Sequence, residues 1–465
     1  MRSRRLAVVA VVALLVCPAG PVPGQEVAPR PTTPTGPVLR VGALLPLTGP
    51  GAWFGAEIKQ GLELAVAELS PPPQRSVSPA AGSAAESGSP SGEGEPKAGP
   101  EAQPSPSDRL GETAESPSSA PTKDRSPRPP SEPIEPADRP RTLTLILQAL
   151  DVQPLDVKDA GAKANRLLGS GVAAIVTASP TPTLTVYPLA AARDALVLHA
   201  GLTTERFPAT SRTLLQLRPS VVDRADVLGA HAWERGIRRL GLLAGGDGFG
   251  RAVRTAVAAR WRQQGGHLAH EESVSLDASD LRSRLRAVVR VAPEAVVLGF
   301  QGVALGDAAR ALRDVGYAGQ ILAADDDRAA LLAAGRALNG ALILTDAFVP
   351  LPGSRGARFA RAYEARYKAP PSRFAASAYE AATLLAEASR RSLQDGRGVA
   401  GSRLRDVLAA GRRFPSLYAG DLVVRDDGTL ARPLALFRVE GDALAFETYV
   451  GPDGRAVGVP QGSDR

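Results

Sequence analysis

The sequence predicts an α/β protein whose parallel sheets carry helices on both faces, and three observations lead there. Short apolar runs, such as Val41 to Leu45 and Val172 to Val176, have the unbroken hydrophobicity of strands buried on both sides. Longer stretches separate them in which apolar residues recur at helical spacing, as do Ile58, Leu62, Ala65, Val66 and Leu69. The two patterns alternate along most of the chain, and a strand–helix–strand rhythm implies parallel pairing.

The first unit spans Arg40 to Leu69. Val41–Leu45 forms the strand, Pro46 and Thr48-Gly49-Pro50-Gly51 stop it, and a helix runs from Ala56. Trp53 and Phe54, two of only twenty aromatic residues, fall in the loop between them. Such loops, between a strand's carboxyl end and a helix's amino end, are where α/β proteins bind small ligands. Spacing alone favours a plainer role for the two rings, capping the core of one βα unit. Gly55, at the helix start, lets a ligand or another backbone come close.

From Ser70 to Arg141 the composition collapses into Pro, Ser, Glu, Gly and Ala, with too few large apolar residues to order a chain. Residues 71–140 read as a disordered insertion, tolerable because loop length costs entropy only logarithmically. The rhythm then resumes with a strand over 142–147, a helix over 157–168 and strands at 172–176 and 195–198. A helix over 184–193 lies between those two strands, with Pro188 in its first turn or kinking it. Leu214–Leu217 leads to a hinge. Helices follow over 223–235, 250–264, 280–289 and 305–315, with strands at 240–243, from 267, at 295–298 and at 320–323. After a strand from Leu342 come helices over 354–367, 372–392 and 402–410, and a hairpin-like close from Gly420 to Phe446 that turns at Asp426-Asp427-Gly428.

Composition bounds the function. The 465 residues suit two or three domains, and 44% hydrophobic content supports a substantial core. Residues 1–24 read as a signal peptide: Arg2, Arg4 and Arg5, the apolar run Leu6–Val16, then small residues and prolines. No later stretch reads as a membrane span, so the mature chain is expected to be soluble and extracytoplasmic. Cys17, the single cysteine, allows no internal disulfide; bulky Val16 before it and Pro18 after it weigh against lipid attachment. The formal charge of +7 comes from arginines spread thinly along helices with few aromatics among them, which reads as a solvated surface and not a nucleic-acid site.

Enzyme motifs are wanting. His267 and His270 spell H-x-x-H, but on a strand they face opposite sides and cannot share a metal. His199 has no second ligand near it in sequence, and Gly245–Gly250 lacks the Lys-Ser/Thr of a P-loop and the spacing of a dinucleotide fingerprint. With no G-x-S-x-G either, a non-enzymatic protein without cofactor or metal is expected.

Arg40–Leu69 resembles the opening of the type I periplasmic solute-binding proteins, in particular the leucine/isoleucine/valine-binding class that serves ABC importers. There a strand is followed by P-L-(S/T)-G, a loop with an aromatic residue, a glycine and a helix rich in Gly and Ala. Pro46, Leu47, Thr48, Gly49, Phe54, Gly55 and Gly61 match. The closing segment from Gly420 is similar to the family's G-x-x-x-F/V-D-x-x-G-x turn and returning strand. The resemblance covers nearly all of the chain outside leader and insertion, and the insertion departs from it, since the family's connection there is short.

The resemblance implies two lobes, each a parallel sheet flanked by helices, joined by three hinge crossovers near Pro219, Asp346 and Arg432. One lobe would comprise 38–70, 141–218 and 347–431, the other 219–346 and 432–458, with 25–37 and 459–465 as flanking segments. It implies a ligand site in which the loops Thr177–Thr183 and His199–Thr204 offer hydroxyls and amides to a carboxylate, with Thr203 on the family's hydroxyl position, Thr181 or Thr183 on the serine position, and Gly201 beside them. Spacing alone leaves it open that these threonines only cap helices. Across the hinge, Asp325 stands at the family's ammonium-binding carboxylate, with Asp326 as fallback, although one of Asp326 and Asp327 is expected to cap a helix. Phe249 falls on a cleft-lining Tyr, and Gln301 replaces a tyrosine of the amino-acid-binding member, which puts the ligand's identity in doubt. Trp53 and Phe54 become stacking candidates. The implied partners are a small solute and an inner-membrane ABC permease; a sensor or a cell-wall synthase activator built on the same lobes is the alternative.

Overall fold

A strand sandwiched between helix layers must be apolar on both sides, and the burial of β1 (Val38–Leu45) is continuous from Val41 onward. The computed structural model describes residues 37–70, 143–208, 213–411 and 413–457. The expected leader with Cys17, the 71–140 insertion and the 459–465 tail lie outside them.

After β1 come α1 (Ala52–Leu69), β2 (Thr144–Asp151), α2 (Val157–Gly169), β3 (Ala174–Thr177), α3 (Pro180–Ala191), β4 (Leu196–His199) and β5 (Leu214–Gln216). Their strands form one fully parallel sheet, ordered β2-β1-β3-β4-β5. Alternation along β1 fills both layers: Leu39, Val41, Ala43 and Leu45 pack with Ile58 and Leu62 of α1, while Leu44 packs with Leu167 of α2 and Val186 of α3. At the amino end of the sheet, Ser70 closes α1 and its hydroxyl meets both the amide (3.1 Å) and the carbonyl (3.4 Å) of Leu145 on β2.

The second sheet is built from α4 (Val221–Glu234), β6 (Leu240–Ala244), α5 (Gly248–Gln263), β7 (His270–Ser273), α6 (Leu281–Arg290), β8 (Ala295–Gly299), α7 (Val303–Asp314), β9 (Gln320–Ala323), α8 (Arg328–Ala334) and β10 (Leu342–Thr345). Then α9 (Arg355–Tyr367), α10 (Arg373–Gln394) and α11 (Gly401–Gly411) lead to a small antiparallel sheet of β11 (Arg413–Pro415), β12 (Asp421–Val424) and β13 (Leu430–Ala431). Residues of α10, α11, β12 and β13 share the core of the first sheet. Finally β14 (Leu434–Glu440), β15 (Ala443–Val450) and β16 (Ala456–Val457) add antiparallel to β10, completing the order β16-β15-β14-β10-β9-β8-β6-β7. The chain therefore passes between the two sheets after β5, after β10 and between β13 and β14.

Several boundaries differ from expectation for local reasons. The first helix begins at Ala52, so Trp53 and Phe54 lie in its first turn and not in the loop before it. Helix α3 begins at Pro180, whose missing N–H costs nothing at N1; this leaves Pro188 inside the helix and not in its first turn. Strand β7 starts at His270, after a turn at Gln264–Gly266 held by bonds to Arg260, Trp261 and Arg262. No helix among the described residues is long and apolar enough to cross a membrane.

Candidate functional site

Helices α1 and α10 pack closely because Gly61 has no side chain: a Cβ there would lie 2.2 Å from the Ala375 carbonyl oxygen. This brings the amino ends of both helices together, and with them three rings. Trp53 meets Phe54 edge-on at 5.4 Å and Phe374 at 5.3 Å, and Phe54 lies 5.6 Å from Phe374. Trp53 stays 62% exposed, unusual for an indole in a described chain with this much core. The reverse face of the cluster is ionic, with the Arg218 guanidinium 4.4 Å from the centre of the Phe374 ring.

Arg218 lies just beyond β5, ahead of the Ser220–Asp223 capping box that opens α4. Its Nε donates to Asp346 Oδ2 at 2.7 Å, both side chains being buried. Arg373, at the first position of α10, reaches the other Asp346 oxygen with Nη1 at 3.1 Å and pairs through Nη2 with Asp326, which also accepts from Thr345 Oγ1 at 3.2 Å. Asp346 follows β10 and Asp326 follows β9, so the carboxyl ends of two second-sheet strands are tied to the exit of the first sheet and to α10. Burial alone would raise the Asp346 carboxyl, but Arg218, Arg373 and Arg224 together hold it far below the usual carboxylate range. Arg373 is likewise held above its ordinary value, the pull of Asp346 and Asp326 outweighing the cost of burial.

Asp325 differs from its neighbour. It accepts the Gly302 amide at 2.7 Å, and burial, reinforced by Asp326 and Asp327, pushes its carboxyl upward despite that bond. Asp327 caps α8 through the Ala329 amide at 2.9 Å, the helix-capping role expected of one of these acids. Gln301 is exposed beside Gly302.

At the first sheet's carboxyl edge one of the expected hydroxyls is fully committed. Thr183 is fully buried; its Oγ1 donates to the Ser179 carbonyl at 2.8 Å and lies 2.7 Å from Thr177 Oγ1 and 2.8 Å from His199 Nδ1. It braces the core and offers no hydroxyl to a solute. Thr181 is half-buried in the first turn of α3, where its carbonyl accepts from Thr185 Oγ1 at 2.9 Å. Thr203 is buried, accepts from Gln216 Nε2 at 2.9 Å and receives the Val221 amide on its carbonyl at 3.0 Å, joining this loop to the start of α4. Gly201 is required by close approach, since a Cβ would lie 1.9 Å from the Ala178 oxygen. Phe249 is buried within the core between α4, α5 and the second sheet, which removes it from the surface of any cleft.

The structure thus joins Trp53 and Phe54, through Phe374, Arg218 and Arg373, to Asp326, and leaves Thr183 and Phe249 in the interior. Sequence reading missed the arginines. Taken as solvated charge, Arg218, Arg224 and Arg432 are buried, and Arg432 pairs with Glu380 at 2.7 Å where the chain crosses to β14. One signal was available: Arg218 and Arg432 each abut a proline at an expected crossover, where long polar side chains have two sheets' worth of strand ends to reach.

A family model described as periplasmic binding protein matches residues 151–443. No curated protein sequence gives a significant match. Among solved structures, a putative branched-chain amino acid ABC transporter protein from Rhodospirillum rubrum aligns with a TM-score of 0.64 at 16% identity, covering 89% of this chain and 100% of that one. The substrate-binding protein LivJ from Streptococcus pneumoniae, in complex with isoleucine, aligns at 0.54 and 14% identity over 89% and 100% of the two chains. A solute-binding protein of an ABC transporter from R. palustris, in complex with benzoate, aligns at 0.52 and 14% over 91% and 98%. At these identities the likeness speaks for the fold.

Proposed function

Because the chain belongs to the periplasmic binding protein family, we propose that it is the extracytoplasmic solute-binding component of an ABC importer, taking a small amino-acid-like or carboxylate solute between two lobes by hinge closure. The observation that carries the reading is the seam described above. An exposed indole, Trp53, stands beside a partly buried ionic cluster at the strand ends of both sheets, the place where α/β folds bind ligands. Two structurally similar proteins hold isoleucine and benzoate, both small carboxylates.

On this reading Trp53 and Phe54 stack on the solute, and Asp325 receives the ammonium group when the solute is an amino acid. Ligand contact with both lobes favours the closed form over the open one. A solute present at a hundred times its Kd stabilises the folded state by about 2.7 kcal/mol. The test is a melting and calorimetric screen of the mature chain against amino acids, short and aromatic carboxylates, amides and urea. At least one compound should raise the melting temperature and give saturable heat; silence across the whole panel would refute solute capture. Recovery of a permease in a pull-down supports the importer role, whereas recovery of a synthase or kinase in its place argues for a regulator on the same lobes.

A further inference from the structure

Each of the two arginines that tie the seam is matched by a carboxylate: Arg218 by Asp346, and Arg373 by Asp326 and Asp346. Arg224, in the first turns of α4, is not. It is only 2% exposed, forms no ion pair with a described carboxylate, and its buried Nε has no hydrogen-bond partner. Helix α4 begins three residues after Arg218 and packs against β10, which Asp346 follows, and Arg224 feels the charges of Asp346, Asp326, Arg373 and Arg218 there. The remaining acid nearby, Asp325, is engaged by the Gly302 amide, feels the charge of Arg224 and forms no ion pair with it among the described residues. The charge of Arg224 is shared with carboxylates already paired to Arg218 and Arg373, and an unbonded N–H in the interior carries a desolvation cost that an added acceptor relieves.

Of the hydroxyls that could receive a carboxylate, Thr183 is spent on Ser179, Thr177 and His199, while Thr203 accepts from Gln216. Arg218 also keeps Nη1 free of any partner. We propose that Arg224, aided by the free Nη1 of Arg218, anchors the carboxylate of the solute, so that the site requires an acid and rejects the corresponding amide. This rests on the solute-capture reading above. A guanidinium suits the task because its parallel N–H groups match both carboxylate oxygens. Arg218 lies over Phe374, which meets Trp53, so the anchor adjoins an aromatic wall able to take the apolar part of the same molecule.

The experiment compares matched pairs, leucine with leucinamide and benzoate with benzamide, by calorimetry on the mature chain and on Arg224→Gln and Arg224→Lys. At least one acid should bind and its amide should be weaker by about a hundred-fold or more, the loss expected when one side of a desolvated charge pair is removed. Arg224→Gln should lose acid binding to a similar degree and Arg224→Lys recover part of it, while in the absence of solute Arg224→Gln should melt no lower than the parent. An amide that binds as well as its acid, or full affinity in Arg224→Gln, overturns the proposal and leaves solute capture standing. A lower melting point for unliganded Arg224→Gln assigns Arg224 a structural partner and also overturns it. If neither acids, amides nor any other compound of the wider panel binds, solute capture itself fails and takes this assignment with it.

Discussion

Asp346→Asn is the most informative single perturbation of the seam. The carboxylate is buried and holds two guanidinium groups, Arg218 at 2.7 Å and Arg373 at 3.1 Å. The amide is nearly isosteric, so packing survives while both cations lose their counter-charge. Breaking a buried pair by removing one partner costs about 3–5 kcal/mol. Urea unfolding followed by tryptophan fluorescence should show that loss near neutral pH as a fall in the midpoint without a change in slope. The pH dependence gives a second, independent number. The folded-state carboxyl is held far below its unfolded value of about 3.9, so its contribution is fully present above roughly pH 4 and is lost as the pH falls further towards the folded value. The parent and the variant should therefore differ most at neutral pH and converge on acidification. A gap below about 1 kcal/mol at neutral pH, the scale of a surface pair, would refute the reasoning. So would a gap that is the same at pH 3 as at pH 7.

Two further perturbations probe the elements behind the seam. Gly61→Ala places a methyl against the Ala375 carbonyl, an obstacle no rotamer change can clear, so unfolding should register a loss of about 1–3 kcal/mol; an unchanged midpoint would mean that α1 and α10 separate freely. His199 is buried neutral, its ring pushed down to about 3 chiefly by burial and then by Arg218, so between about pH 6.5 and that value the unfolded chain binds a proton that the folded chain does not. Stability should fall with acidification over that window by up to about 1.4 kcal/mol per pH unit. A denaturation series on His199→Gln should show a shallower slope, and parallel slopes would contradict the assignment.

The fold was legible because buried parallel strands have an unmistakable composition: β9 lies at the expected 320–323 and most helices fall within a few residues of expectation. What misled was chemistry with no periodicity. Pro180 and Pro182 read as loop although a first helical turn has no use for the N–H that Pro180 lacks, so the start of α3 was placed four residues late. The short α8 was foreshadowed only by its cap, Asp327. The site was harder. Acids following β9 were visible as a motif, but apart from the prolines beside Arg218 and Arg432 the sequence does not distinguish an arginine that covers a surface from one that crosses between sheets. Arg373 and Phe374 sit at the head of a strongly helical stretch, and their meeting with Trp53 depends on the α1–α10 approach set by Gly61 and Ala375, positions more than three hundred residues apart.

The bonds from Ser70 to Leu145 bear on how much chain the first sheet can tolerate between them. They fix residue 70 beside residue 145 at the amino end of the sheet, on its edge strand and opposite the carboxyl ends that carry the seam. The points where the chain departs and returns are thus fastened to each other by the framework alone. Whatever joins them can lengthen or shorten without altering strand register, at an entropic cost of only about 0.6 kcal/mol per doubling. The junction works as an expansion port: tens of residues can be gained or discarded there, or a new module appended, while the carboxyl ends of the strands and the seam they carry are left untouched.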